Sequence, residues 1–149
     1  MIIKSLDQLS QISLEIIKKI NEQDCILLFG EIGAGKTTLT RSIINSLQIQ
    51  NRQKQTEVLS PTFNIVYEYE IDNLKVMHYD LYRLKTEKEV QHLGIFDQDV
   101  PSIKIIEWAE IIKNKQKNRL EIYLTYKNEN NSRNIEFKGF GKWKDFNAN

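Results

Sequence analysis

Cysteine is the scarcest residue type in this sequence, because Cys25 is its single copy among 149 residues. One cysteine excludes an internal disulfide, and its position at the start of an apolar segment predicts a small buried thiol. No apolar run approaches the roughly 20 residues of a membrane-spanning helix, and residues 1–7 lack the apolar core of a signal peptide. These absences indicate a cytoplasmic protein.

Neither sign of charge dominates, because 21 lysines and arginines stand against 20 aspartates and glutamates, for a formal net charge of +1. This balance does not predict a broad nucleic-acid or membrane-binding surface. No repeat or low-complexity segment divides the chain, whose length suffices for one domain with its own core. We therefore expect a single domain over residues 1–149, with a frayed tail over residues 141–149.

The segment around which the chain is organised runs from Leu27 to Thr38. Residues 25–29 form a short apolar run that predicts a buried strand. Residues 30–37 follow it and match the pattern G-x-x-x-x-G-K-[ST] at every fixed position. A helix is predicted next, because apolar residues recur on one helical face over residues 39–47. A strand before the pattern and a helix after it are the context that a phosphate-binding loop requires, which argues against a chance match.

The residue types of this loop suit a triphosphate. Gly33 and Gly35 allow the backbone to curl until its N–H groups point at an anion. The following helix adds the positive end of its dipole beneath the same phosphates. Lys36 carries positive charge to the β- and γ-phosphates, and the Thr37 hydroxyl can ligate Mg²⁺.

Two acidic residues stand at the ends of predicted strands. The strand over residues 74–80 ends in Asp80, and the strand over residues 102–106 is followed by Glu107 and Trp108. In open α/β sheets ligands bind at the carboxyl ends of the strands, and an acid placed there can reach Mg²⁺. Asp80 is therefore a candidate for binding Mg²⁺ or for acting on the attacking water, and Glu107 is a second candidate for binding Mg²⁺.

Each of these residues also has an ordinary structural explanation. Asp80 would equally serve as a cap or as the ion-pair partner of Arg83. Trp108 is more often a core residue than a stack on a ligand, although its place beside an acid favours the stack. Residues 60–62, Ser-Pro-Thr, fit a plain turn that opens a strand. Alternatively, they form a switch segment in which Thr62 faces the metal or the water.

The rest of the chain supplies further strands and helices. Helical periodicity predicts a first helix over residues 6–22 with Ser5 as its cap, and a capping box at Thr86 predicts a short helix to about Leu93. Residues 48–57 are polar and lack periodicity, so we interpret them as a loop. Two antiparallel hairpins are also predicted. Their strands lie at residues 64–71 and 74–80, and at residues 120–126 and 134–138.

Five segments occur in order and with compatible spacing: GEIGAGKTTLTR at 30–41, SPTFNIVYEY at 60–69, HYDLYRL at 78–84, LGI at 93–95 and IIEWAE at 105–110. In these segments the sequence resembles the TsaE family, also called YjeE. Its members are small bacterial P-loop ATPases required for threonylcarbamoyladenosine at position 37 of ANN-decoding tRNAs. The P-loop alone is shared by many families, whereas the SPT, DLYRL and EW segments together are far more specific. The resemblance covers about residues 1–140.

The resemblance implies an α/β fold of the P-loop NTPase type, in which a mixed sheet with antiparallel hairpins is flanked by helices. It implies a Mg²⁺-dependent ATPase that acts with the proteins TsaB and TsaD and that reaches tRNA only through their complex. ATP and Mg²⁺ are the implied cofactors. The residues so implied are Lys36, Thr62 and Asp80 for catalysis, Thr37 and Glu107 for Mg²⁺, and Glu31, Ile32, Gly33, Ala34, Gly35, Lys36, Thr37, Thr38 and Trp108 for the nucleotide.

Two functions of other classes also use a P-loop. A small-molecule kinase needs an arginine-rich lid or an acceptor pocket, and the segment after Asp80 holds only Arg83. A nucleotide-sensing module without hydrolysis would lack a competent acid, and Asp80 and Glu107 argue against that. The sequence has no obvious arginine for the transition state, so we expect slow hydrolysis by the isolated chain and a dependence on partners.

Overall fold

The computed structural model describes residues 1–97, 99–127 and 132–148, and these form a seven-stranded mixed sheet with helices on both faces. The strands are β1 (Ile2–Ile3), β2 (Cys25–Phe29), β3 (Val66–Ile71), β4 (Leu74–Asp80), β5 (Ile103–Glu107), β6 (Arg119–Lys127) and β7 (Ser132–Phe140). The helices are α1 (Leu6–Lys19), α2 (Lys36–Gln50) and α3 (Glu87–His92), with 3-10 turns at Ala109–Ile111 and Gly141–Trp143. None of the helices in these ranges is long and apolar enough to cross a membrane.

The centre of the sheet is parallel and its outer strands are antiparallel. The strand order is β1-β7-β6-β2-β5-β4-β3, in which β2 runs parallel to β5 and β6, and β4 runs parallel to β5. The pairs β3–β4, β6–β7 and β1–β7 are antiparallel. This topology confirms the predicted α/β fold with antiparallel hairpins. It also brings the carboxyl ends of β2, β4 and β5 to one edge of the sheet, where ligands bind in open α/β folds.

Two apolar clusters fill the two faces of the sheet. Helices α1 and α2 pack on the face that carries Ile26 and Leu28, and α3 packs on the face that carries Leu27. A central strand covered on both sides must be apolar at every position, which explains the uninterrupted run in β2. Cys25 has no exposed surface, and burial raises the pKa of its thiol to about 12. This confirms the prediction of a small buried thiol.

The first helix begins where the sequence predicts and ends earlier. Ser5 Oγ accepts a hydrogen bond of 3.2 Å from a backbone N–H of the first turn, so its role as cap is confirmed. The helix ends at Lys19 instead of residue 22. The reason lies in the next turn, where the Asp24 carboxylate accepts the N–H of Asn21 at 2.7 Å and directs the chain into β2.

The capping box of α3 agrees with the prediction, whereas helix α2 ends later than the sequence predicts. The capping box is confirmed, because Thr86 Oγ1 accepts the N–H of Glu89 and the Glu89 carboxylate accepts the N–H of Thr86. Helix α2, however, extends to Gln50, past the predicted start of the loop at residue 48. The side chain of Gln48 is buried and is hydrogen-bonded to Thr56. These contacts stabilise the last turn of the helix at this polar residue.

Both predicted hairpins are present. Strand β3 begins at Val66, two residues later than predicted, because Ile65 has a left-handed backbone with φ +69°. The turn between β3 and β4 lies at Asp72, as predicted. Strands β6 and β7 pair along their full lengths. The link between them, residues 128–131, lies outside the described residues.

The chain after β7 is anchored, and the prediction of a frayed tail is wrong for residues 141–148. Trp143 is fully buried, and its indole Nε1 donates to Asp24 Oδ1 at 3.3 Å across 119 positions of sequence. Lys142 forms an ion pair with the same carboxylate, and Phe146 packs edge-on against the indole with ring centroids 5.4 Å apart. No local sequence pattern predicts this anchor, because Asp24 and Trp143 lie near opposite ends of the chain.

We predict that Trp143→Ala lowers the free energy of unfolding by about 3–5 kcal/mol, the usual cost of deleting a fully buried large aromatic side chain. Urea unfolding followed by circular dichroism measures this difference. Phe63→Ala is the matched control, because this aromatic ring is 82% exposed, and we expect its removal to cost less than about 0.5 kcal/mol. Equal costs for the two substitutions would contradict the anchor.

Candidate functional site

The cleft at the carboxyl edge of the sheet has a volume of about 520 Å³. Strand β2 leads into the loop of residues 30–35, which we call the P-loop, and α2 begins directly after it. In the register of β4 and β5, Asp80 lies directly opposite Glu107, and Glu107 lies opposite Leu28 of β2. Three neighbouring strands therefore deliver the P-loop and two acidic side chains to one place.

The P-loop has backbone angles that glycine adopts readily. Gly30, Gly33 and Gly35 all have positive φ, at 145°, 77° and 108°. At Gly30 a Cβ would also lie 2.3 Å from the carbonyl oxygen of Leu124, so no side chain fits there. Gly35 is the N-cap of α2 and provides no side-chain cap. The first N–H groups of the helix are thus available to an anion.

Lys36 is held against its own loop. Its Nζ donates to the carbonyl oxygens of Gly30 at 2.5 Å and Glu31 at 2.8 Å, and it lies 3.9 Å from the centre of the Trp108 ring. Burial lowers the pKa of this ammonium, while the carboxylate of Glu107 acts in the opposite direction. The loop therefore carries a largely buried cation whose position is fixed by two carbonyls and an aromatic face.

Glu107 is a buried carboxylate supported by hydroxyl groups of α2. Its side chain is 1% exposed. Thr37 Oγ1 donates to its Oε2 at 3.1 Å, and Thr40 Oγ1 lies 3.5 Å from its Oε1. A hydroxyl that donates its proton to a carboxylate keeps lone pairs for another partner. Thr37 and Glu107 thus present the hard oxygen ligands that Mg²⁺ prefers, so the donor set fits this ion.

Asp80 is tied to the Ser-Pro-Thr segment. Its Oδ2 accepts from Thr62 Oγ1 at 2.8 Å and from Ser60 Oγ at 3.2 Å, and its Oδ1 accepts from the N–H of Tyr82 at 2.9 Å. Arg83, which the sequence suggested as an ion-pair partner of Asp80, instead donates to the carbonyl oxygen of Phe63 at 3.2 Å. The hydroxyls of this segment are therefore directed at the acid.

Two residues beside the site have left-handed backbones that the sequence did not indicate. Ile65 has φ +69°, which is rare for a β-branched residue, and its carbonyl accepts the N–H of Asp80 at 2.9 Å. Trp108 has φ +58° and packs against Tyr82 with ring centroids 4.8 Å apart. Such backbone angles cluster at functional sites, where the surrounding contacts hold them in place. Here they orient Asp80 and the aromatic cover of Lys36.

The structure brings nearly all of the residues predicted for the site into this cleft. The exception is Glu31, which contacts Lys36 through its carbonyl while its carboxylate accepts the N–H of Tyr126 at 3.4 Å. The predicted residues that line the cleft are Ile32, Gly33, Ala34, Gly35, Lys36, Thr37, Thr38, Thr62, Asp80, Glu107 and Trp108.

Part of the cleft lining was missed by sequence reasoning. It consists of Lys4, Ser5, Leu6, Leu124 and Arg133. These positions meet because β1 pairs with β7, which joins the start of the chain to residues more than 100 positions later. A strand of two residues has no detectable alternation, so no sequence pattern could have predicted this pairing.

Comparison with known proteins agrees with the motifs. A family model described as threonylcarbamoyl adenosine biosynthesis protein TsaE matches residues 3–135. The protein named "tRNA threonylcarbamoyladenosine biosynthesis protein TsaE" in Rickettsia felis is 35% identical over 113 residues, which are 76% of this chain and 64% of that protein. Its namesake in Nostoc sp. is 36% identical over 121 residues, 77% of this chain and 70% of that protein.

Two further comparisons concern length and fold. The relative of the same name in Haemophilus influenzae is 39% identical over 99 residues, 64% of this chain and 60% of that protein. The chain thus spans slightly less than two thirds of the length of several of these relatives. The crystal structure of Bacillus subtilus YdiB is similar in fold, with a TM-score of 0.68 at 22% identity, over 97% of this chain and 87% of that one.

We predict that Asp80→Ala speeds amide hydrogen exchange in residues 59–65 by about tenfold, because the loss of its hydrogen bonds to Ser60 and Thr62 removes about 1.4 kcal/mol of local stability. Exchange monitored by mass spectrometry on the nucleotide-free protein measures this. Asp97→Ala, at an exposed aspartate elsewhere, is the control and should change nothing in this segment. Unchanged exchange in Asp80→Ala would show that this acid does not hold the segment.

Proposed function

The chain belongs to the TsaE family, and we propose that it is a Mg²⁺-dependent ATPase that supports threonylcarbamoyl transfer to adenosine 37 of tRNA, acting with TsaB and TsaD. The family match supports the role in tRNA threonylcarbamoyladenosine biosynthesis. The observation that carries the ATPase proposal is that Lys36 and the two buried acids Asp80 and Glu107 face one cleft. We further propose that the chain works in the cytoplasm as a single domain.

The phosphates of ATP are proposed to bind in the P-loop. Its backbone N–H groups and the uncapped start of α2 form an anion site, and Lys36 adds a full positive charge. The nucleoside would then extend along the cleft toward Lys4, Ser5 and Leu124. Leu124 gives the base a partly apolar wall, beside the polar side chains of Lys4 and Ser5.

Mg²⁺ is proposed to bind at Thr37 and Glu107. Ions of this kind are usually held by one or two protein oxygens together with substrate phosphates, so these two side chains are sufficient. When bound, Mg²⁺ neutralises the charge that develops on the transferring phosphoryl group. The hydrogen bond from Thr37 to Glu107, at 3.1 Å, holds the carboxylate in place beside the hydroxyl.

Asp80 and Thr62 are proposed to act on the attacking water. Phosphoryl transfer needs a residue that orients the nucleophile, and a carboxylate linked to a hydroxyl at 2.8 Å can accept a proton from water or align it. Because Thr62 lines the cleft and lies between exposed Ser60 and exposed Phe63 in sequence, its bond to Asp80 can also report the nucleotide state to a partner. This is the switch role proposed for residues 60–62.

Slow hydrolysis by the isolated chain is proposed because the cation that the P-loop itself holds is Lys36 and no arginine lies within residues 30–38. Arg133 also lines the cleft, and its guanidinium lies over the ring of Tyr126 at 5.0 Å. A transition-state cation supplied by a partner contributes about 10³–10⁵ in rate in other P-loop enzymes. Dependence on TsaB and TsaD follows from this argument.

The test is the rate of ATP hydrolysis by the purified chain, alone and with TsaB and TsaD. We expect slow turnover by the chain alone and an increase of at least about tenfold in the complex, because a partner that supplies a cation in trans stabilises the transition state. Lys36→Ala should abolish turnover in both conditions and leave the fold intact by circular dichroism. Fast hydrolysis alone, unchanged by TsaB and TsaD, would contradict the proposal, and phosphate transfer to a small acceptor would favour a kinase.

A further inference from the structure

His78 is a buried polar residue that the mechanism above does not use. It lies in β4, two positions before Asp80, and has no exposed surface. Within the described residues, neither Nδ1 nor Nε2 of its ring has a hydrogen-bond partner. Buried polar groups in folded proteins are nearly always paired, so an imidazole with both nitrogens unpaired requires an explanation.

The carboxylate of Glu107 lies beside the His78 ring. His78 Nε2 lies 3.7 Å from Glu107 Oε2, the oxygen that accepts the Thr37 hydroxyl at 3.1 Å. Asp80 and Glu107 are register partners and Ile105 is the partner of His78, so the imidazole lies one layer below the two acids. His78 is therefore directly behind the side chain proposed to bind Mg²⁺, on the side away from the cleft.

The electrostatics of this contact select one arrangement of the ring. A lone pair on Nε2 would point at a negatively charged oxygen and be repelled, whereas a proton on Nε2 is attracted to it. The distance exceeds that of a hydrogen bond, so the interaction is electrostatic. Because both groups are buried, water does not screen it.

We propose that His78 is a positioning residue, which presents a proton on Nε2 to Glu107 and fixes the carboxylate in the orientation that binds Mg²⁺. This inference rests on the proposed function of the cleft. It gives His78 the role that outer partners have in metal sites, where they orient a ligand without touching the metal. It also explains why a polar ring occupies a position that an apolar side chain would fill without unpaired nitrogens.

The first experiment compares His78→Leu, which removes the N–H, with His78→Gln, whose side-chain amide restores an N–H at a similar reach. Mg²⁺ is titrated into the protein bound to the non-hydrolysable analogue AMP-PNP, and analogue affinity is measured separately in EDTA. We expect His78→Leu to weaken Mg²⁺ binding by about 10–100-fold, as for other outer partners of metal ligands. Affinity in EDTA should stay unchanged, and His78→Gln should recover most of the loss.

Met77→Leu is the matched control, because Met77 is the buried neighbour whose side chain packs in the other apolar cluster of the sheet. It should leave both affinities unchanged. Mg²⁺ affinity in His78→Leu equal to that of the wild type would overturn the inference, and so would a His78→Gln variant as weak as His78→Leu. Failure of the wild-type chain to bind the analogue with Mg²⁺ would instead overturn the proposed function.

The second experiment needs no change at His78. The ring nitrogens of the wild-type protein, labelled with ¹⁵N-histidine and free of metal and nucleotide, are observed by NMR. His92 is the other histidine, and His92→Gln assigns the signals. We expect the proton of His78 on Nε2. A ring with its proton on Nδ1 and a bare Nε2 would overturn the inference even if the substituted proteins failed to fold.

Discussion

The buried carboxylate of Glu107 is the constraint on which the rest of the site depends. Removing a charge from water is costly unless nearby groups compensate for it. Glu107 is 1% exposed and has two threonine hydroxyls from α2 beside it, and its negative charge acts to raise the pKa of the Lys36 ammonium. The position of α2 against β5 is therefore set by polar contacts as well as by packing, and those same contacts assemble the proposed Mg²⁺ site.

The second acid, Asp80, has hydrogen-bond partners of a different kind. Asp80 lies opposite Glu107 in the sheet, but its oxygens accept hydrogen bonds from the hydroxyls of Ser60 and Thr62 and from one backbone N–H. Two like charges at neighbouring strand ends thus have separate partners, one set from a rigid helix and the other from a loop. That division suits a site in which one acid keeps a fixed ligand position and the other changes partners with the nucleotide.

The sequence predicted those parts of the fold that depend on neighbouring residues. The P-loop, the Ser5 cap and the capping box at Thr86 are all recognisable within a few positions, because each is completed by backbone groups of its own turn. The anchor of Trp143 on Asp24 was missed, since its partners are joined only by the fold. The left-handed angle of Trp108 was missed for a related reason, because its ring contacts the Lys36 ammonium and the Tyr82 ring, which lie in other segments.

The most direct test of the central claim, that nucleotide binds beside Lys36 and Trp108, is a fluorescence titration. AMP-PNP with Mg²⁺ is added to the wild type, Trp108→Phe and Trp143→Phe. The centre of the Trp108 ring lies 3.9 Å from the Lys36 ammonium, which is proposed to bind the phosphates, whereas Trp143 is buried against Asp24. We predict a saturable change in emission in the wild type and in Trp143→Phe, and its loss in Trp108→Phe. A change that persists in Trp108→Phe would contradict the account.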